Sequence, residues 1–181
     1  MRWLGLLLVL LLGSARADEP VSICYGYGCA HQVTAIFAEG QLVPLLARLD
    51  EARDGEVEKA ALADAIGQLY GWAGQQTPIR GDKGGNYADE GRRGAMDCID
   101  HATTTTRLLK LLEARGGLHF HRVTEPVRRT RWMIFEHYSA AIVALDGEAR
   151  QYAVDSWFVD NGQPAVILPL EEWMDGGGPD V

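Results

Sequence analysis

The hydrophobic and polar positions of this chain change period along its length, and each change marks an element. "HQVTAIF" (31–37) alternates, which predicts a short strand. "EGQLVPLLARLDEAR" (39–53) brings its leucines back every three or four residues and predicts a helix with Pro44 in its first turns. "GEVEKAALADAIGQLYGWAGQQ" (55–76) predicts a longer helix, with Val57, Ala60, Ala61, Ala65, Leu69 and Trp72 near one face. Then the period fails. "TPIRGDKGGNYADEGRRG" (77–94) holds five glycines and a proline, so it predicts a long loop. Loops of that length in compact domains often carry function.

The period returns at Asp97, a predicted N-cap. Ile99, Ala102, Thr103, Thr106, Leu108, Leu109, Leu111 and Leu112 carry a helix to a Gly116-Gly117 stop. Its four consecutive threonines are poor helix formers, so packing must hold that turn. Three extended runs follow: "LHFHRVTE" (118–125), "WMIFEHYSAAIVAL" (132–145) and "YAVDSWFV" (152–159). "DGEARQ" joins the last two as a hairpin, "DNGQ" (160–163) makes a turn, and "AVILP" gives a short edge strand before "LEEWM". Helices first and an antiparallel sheet afterwards predict an α+β fold.

Ahead of these elements stands MRWLGLLLVLLLGSARA, a basic residue, a short apolar run and a small-residue site, which predicts a cleavable signal peptide over 1–17. Its apolar run is too short to span a bilayer comfortably and nothing later is longer, so no membrane anchor is expected and the product is periplasmic or secreted. Residues 18–175 suit one domain and 176–181 a flexible Gly-rich tail. Losing Arg2 and Arg16 takes the net charge from −8 to −10, which argues against nucleic acid as a partner.

Export makes the three cysteines informative, because an odd number cannot all pair within one chain. Cys24 and Cys29 enclose "YGYG" and are expected to form a local disulfide with a stabilising effect of about 2 kcal/mol. Cys98 is left over. A thiol at a helix N-terminus meets unpaired N–H groups and the helix dipole, which favour the thiolate and supply donors for an oxyanion. A buried structural cysteine is the plain alternative. Downstream, His137 and Asp155 lie on consecutive extended runs whose hairpin would set them roughly opposite each other. A carboxylate there fixes the imidazole tautomer and leaves the other nitrogen to take the thiol proton.

With "DCIDHA", "HYSAAIV" and "YAVDSWF" as local motifs, residues 56–160 resemble the transglutaminase-like superfamily of papain-like cysteine enzymes. The resemblance implies a papain-like core, Cys98 as the acyl-accepting nucleophile, His137 as base and Asp155 as its orienting acid. It implies chemistry at a carbonyl more firmly than it implies a substrate. The Cys98-to-His137 interval is far shorter than the papain–cathepsin one, and "DEGRRGAMD" just before Cys98 holds no glutamine where papain relatives place one for the oxyanion, so Asn86 or Tyr87 is expected to complete the oxyanion site with the Cys98 N–H. Trp157 is expected nearest the triad as a cleft wall.

Two metal readings compete. Asp97 and Asp100 with Asp82 or Asp89 offer oxygens to calcium, although Asp97 suits an N-cap and Asp100 a solvated first-turn acid. Cys98, His101, His119 and His121 offer a zinc set. The expectation carried forward has no metal and no cofactor: an exported thiol hydrolase or acyltransferase acting on a protein or peptide, cell-wall peptide included. Its rival is a non-catalytic binding module on the same fold.

Overall fold

Strand β1 (Glu19–Tyr25), which the hydrophobic pattern did not separate from the cystine loop, pairs antiparallel with β2 (His31–Phe37). The computed structural model describes residues 17–86, 88–131 and 135–180; all but the last residue of the expected signal segment, Tyr87 and the start of the 132–145 run lie outside these. A disulfide joins Cys24 to Cys29 at the tip of the β1–β2 hairpin. Helices α1 (Glu39–Asp50) and α2 (Gly55–Gln76) follow, then a short 3-10 turn (Pro78–Gly81) and helix α3 (Cys98–Ala114). The second sheet comprises β3 (His121–Val123), β4 (Val127–Arg131), β5 (Phe135–Ala144), β6 (Gln151–Asp155) and β7 (Val166–Pro169), and α4 (Leu170–Met174) closes it. The fold is α+β, but its order is hairpin, helices, sheet rather than helices then sheet.

All pairings are antiparallel. β3 and β4 share one edge of β5, at residues 142–144 and 135–139 respectively, while β6 and β7 continue the sheet on the other side. Alternation then divides the sheet's faces. Ala140, Ile142, Ala144, Tyr152 and Val154 join the main core with α1, α2, α3 and the hairpin. Ala153, Phe158 and Trp173 form a smaller cluster on the opposite face, which is also the face of His137 and Asp155.

Helix α2 starts at Asp54, whose side chain caps the Val57 N–H at 2.8 Å. Its buried stripe is Leu62, Ala65, Ile66, Leu69, Tyr70 and Ala73, rotated from the expected one, and Val57 is exposed. The rotation follows from Glu58, a buried acid that a hydrophobic count places outside. Helix α3 opens on a reciprocal cap: Asp97 accepts from Ile99 N and Asp100 N, and Asp100 accepts from Asp97 N at 3.1 Å. Three of its four threonines have defined bonds. Thr104 accepts the Cys24 N–H, Thr105 bonds Tyr70 and Ser156, and Thr106 donates to Ala102 O.

At the start of the segment expected as a free tail, Gly176 N and Gly177 N donate to Trp173 O and Glu172 O, and Gly177 O accepts from Arg129. Among the described residues no helix is long and apolar enough to cross a membrane.

Candidate active site

Three elements deliver the side chains. Cys98 is the first residue of α3 and is half-buried, the one free cysteine. His137 stands on β5 and Asp155 ends β6. In the β5–β6 register Ala140 faces Val154, so Asp155 falls opposite Ser139 and His137 is its diagonal neighbour, not its direct partner. The contact is made all the same: His137 Nε2 donates to Asp155 Oδ2 at 2.7 Å. A carboxylate only accepts, so the ring proton is held at Nε2 and Nδ1 carries the lone pair.

Asp155 is 1 % exposed and fully engaged. Its Oδ2 also accepts from Trp173 Nε1 at 2.8 Å, and its Oδ1 from the Trp157 N–H at 3.2 Å. Three aromatic rings box the imidazole, Trp157 at 4.6 Å and Phe158 and Trp173 at 5.6 Å between centroids. Arg129, opposite His137 on β4, lies over Trp173 at 4.6 Å and donates to the carbonyls of Trp173 and Gly177. Burial pushes the Arg129 guanidinium down, and the nearby Asp155 charge opposes that.

Cys98 and His137 line one cavity of about 250 Å³ together with Asn86, Trp157 and Arg129. Trp157 Nε1 donates to Asn86 Oδ1 at 2.7 Å, which fixes the amide so that its Nδ2 donors are the free end. The backbone N–H groups of Tyr138 and Cys98 favour the thiolate, but burial dominates, and with Asp97 and Asp155 it pushes the thiol up to about 11. The helix start alone therefore does not prime Cys98. Trp157 is not on a strand as expected, because β6 stops at Asp155 and the chain turns; the turn, not alternation, brings its ring to His137.

The turn has a cause beneath the site. Ser156 Oγ lies 2.9 Å from His101 Nδ1 and 2.8 Å from Thr105 Oγ1, and it donates to Tyr70 OH at 3.3 Å. On the other side of the ring, His101 Nε2 lies 3.0 Å from Asp82 Oδ2 but off the line a hydrogen bond needs. Burial raises the Asp82 carboxyl above its usual range, with His101 and the Met96 N–H pulling it back. This buried cluster ties the 77–94 loop to α3 and to the residue after Asp155. Gly84 lets the loop lie close, since a Cβ there would meet Phe158 O at 2.7 Å.

The acids weighed as calcium ligands accept from backbone donors. Asp100, expected in solvent, is fully buried and accepts from Tyr27 N at 2.8 Å and Cys29 N at 2.6 Å, while Asp97 accepts from Gly28 N at 2.9 Å. These bonds seat the cystine loop against the start of α3. Asp89 accepts from Lys83 N. Nor do the four residues weighed as a zinc set converge: His101 faces Ser156, His119 bonds Asp50 and His121 bonds Glu58. Among the described residues, Cys24, Cys29 and Asp100 do bring three such ligand atoms within 4.8 Å, but the two sulfurs are spent on the disulfide.

No known family can be assigned by comparison. Family models, curated proteins and solved structures give no significant match to the chain. The geometry of the site therefore carries the functional reading alone. Arg129 and the Tyr138 N–H were not singled out as site groups from the sequence, and Trp173, one of the aromatics that flank the site there, reads as cleft wall or core filling rather than as a donor to Asp155. A buried indole needs a partner for its N–H, and that requirement was the available signal for Trp173.

Proposed function

We propose that the chain is an exported thiol enzyme with a papain-like, transglutaminase-like core that forms an acyl-enzyme on Cys98 and hydrolyses peptide or amide bonds. The observation that carries this reading is that the Cys98 thiol and a histidine held by Asp155 open onto one cavity. Cys98 Sγ attacks the substrate carbonyl carbon while its proton passes to His137 Nδ1. The imidazolium so formed faces the Asp155 carboxylate through Nε2. The Cys98 N–H and Asn86 Nδ2 stabilise the oxyanion. His137 returns the proton to the leaving amine, then activates the water that releases the acyl group. A protein or peptide, cell-wall peptide included, is the substrate class.

Proton transfer during attack suits a thiol that burial holds near 11, because no standing thiolate is required. Cys98→Ala is expected to abolish hydrolysis with the circular dichroism spectrum and melting midpoint unchanged; an active variant overturns the reading. Iodoacetamide should alkylate wild-type Cys98 near neutral pH. In His137→Ala the same rate should appear only as pH climbs toward 11. The same burial favours a second reading, a binding module with Cys98 as a core thiol. Alkylation indifferent to His137 selects that one.

A further inference from the structure

At the other end of β5, seven residues from His137 and so about 23 Å along the strand, a second cavity of about 380 Å³ opens between the start of α2, β3 and the β5–β6 turn. Its wall includes His121, which is 2 % exposed. His121 Nδ1 lies 2.8 Å from Glu58 Oε2. Glu58 also accepts the N–H groups of His119 and Phe120. Burial alone would raise the Glu58 carboxyl, but these donors outweigh it and hold the group below its ordinary value. An ionised carboxylate cannot donate, so the imidazole proton is fixed at Nδ1 and, in the neutral ring, Nε2 is left as a lone-pair acceptor.

That acceptor has no hydrogen-bond partner among the described residues, and the ring edge that carries it faces Gly55. A Cβ added at Gly55 would lie 3.2 Å from His121 Cε1 and 3.6 Å from Nε2. The missing side chain keeps the lone pair open. Asp54 and Glu56 flank Gly55 and line the same cavity. One Asp54 oxygen caps α2, and one Glu56 oxygen meets Lys59 at 2.8 Å; each carboxylate has a second oxygen to offer. The basic group on the rim, Arg150, is already committed to Asp146 at 2.6 Å and Glu148 at 3.3 Å. Tyr152 adds an aromatic wall, edge-on to His121 at 5.6 Å, that already accepts a cation: Lys59 Nζ lies 3.8 Å over its ring.

We infer that this cavity is a second binding site, for a primary ammonium group: its N–H donates to His121 Nε2, its charge faces Asp54 and Glu56, and its carbon stem lies along Tyr152. The acidic rim opposes an anion, which the start of α2 would otherwise favour. A lysyl side chain and a peptide amino terminus share this chemistry. Nothing in the inference depends on Cys98 being catalytic.

The test is an NMR titration of the full chain at mildly alkaline pH, following the His121 Cε1–H signal. n-Butylammonium should shift it saturably, while butyrate and tetramethylammonium, which lack the charge or the N–H, should not. Gly55→Ala should weaken n-butylammonium about tenfold or more by closing the approach to Nε2. Asp54→Asn, which keeps an N-cap side chain, should weaken it severalfold and decides the matter if Gly55→Ala does not fold. Nα-acetyl-lysine methylamide and alanine methylamide then separate the two sources, the tighter one naming it. No saturable shift, equal binding of butyrate or tetramethylammonium, or undiminished binding in the folded variants overturns the site.

Discussion

Cys98 shows how far one position can be pulled in two directions. Its place at the start of α3 offers N–H donors, while its burial beside Asp97 and Asp155 disfavours the charge those donors would stabilise, and burial wins. Cysteine, histidine and acid were legible because their types and order are explicit in the sequence. What surrounds them was not. Trp173 lies 18 residues from Asp155 in sequence and reaches it only because α4 folds back over the sheet face. Trp173→Phe keeps the ring against His137 and removes one hydrogen bond to a buried charge, a loss of about 1.5–3 kcal/mol. Hydrolysis should accordingly fall about tenfold or more, with a parallel drop in stability by urea denaturation; unchanged values would remove Trp173 from the support of Asp155.

Elements were legible where their period was clean. Helix α2 was expected over 55–76 and spans Gly55–Gln76, because its Asp54 cap and its Thr77-Pro78 end are both written in residue types with one structural meaning. β4 was missed because "VRRTR" reads as a charged loop. Its inward position is Arg129, a cation that lies on an indole ring and so occupies an apolar slot without an apolar name. β6 was drawn four residues too long because "SWFV" continues an apolar run, while the hydroxyl of Ser156 pulls the chain into a turn. Asp100 was misplaced for a related reason: a first-turn acid ordinarily faces water, and only the returning cystine loop gives it buried donors. Asp100→Ala leaves the N–H groups of Tyr27, Cys29 and Asp97 without that acceptor. A loss of about 3 kcal/mol is expected, measured by chemical denaturation, and Asp100→Asn should recover part of it.

At the scale of the molecule, acid should be the condition that loosens the chain. Glu58 is fully buried and bonds three groups of the segment leading into β3, so it joins α2 to the sheet. Its folded carboxyl lies below its unfolded value. The stability it contributes is therefore complete above the unfolded value of about 4.3 and is lost as pH falls through the lower folded one. Glu58→Gln should lower the unfolding free energy by about 1.5–3 kcal/mol at neutral pH, and the gap to wild type should narrow as pH falls below the unfolded value and close once it has passed the lower folded one. A gap that stays constant into acid would mean that the charge of Glu58 contributes nothing.

The seating of the cystine hairpin on α3 also has a consequence in time. Cys24 finds Thr104, and Tyr27 finds Asp100, across 80 and 73 residues of chain. At a synthesis rate of about 5–20 residues per second, the first segment of the fold waits roughly 4–16 s before its partner exists. Until then Ile23, which ends fully buried on the strand that packs against α3, has no α3 to cover it. A newborn chain halted before residue 104 is thus an apolar hairpin in search of a surface. Companion proteins that shield nascent chains would meet this one early and release it late.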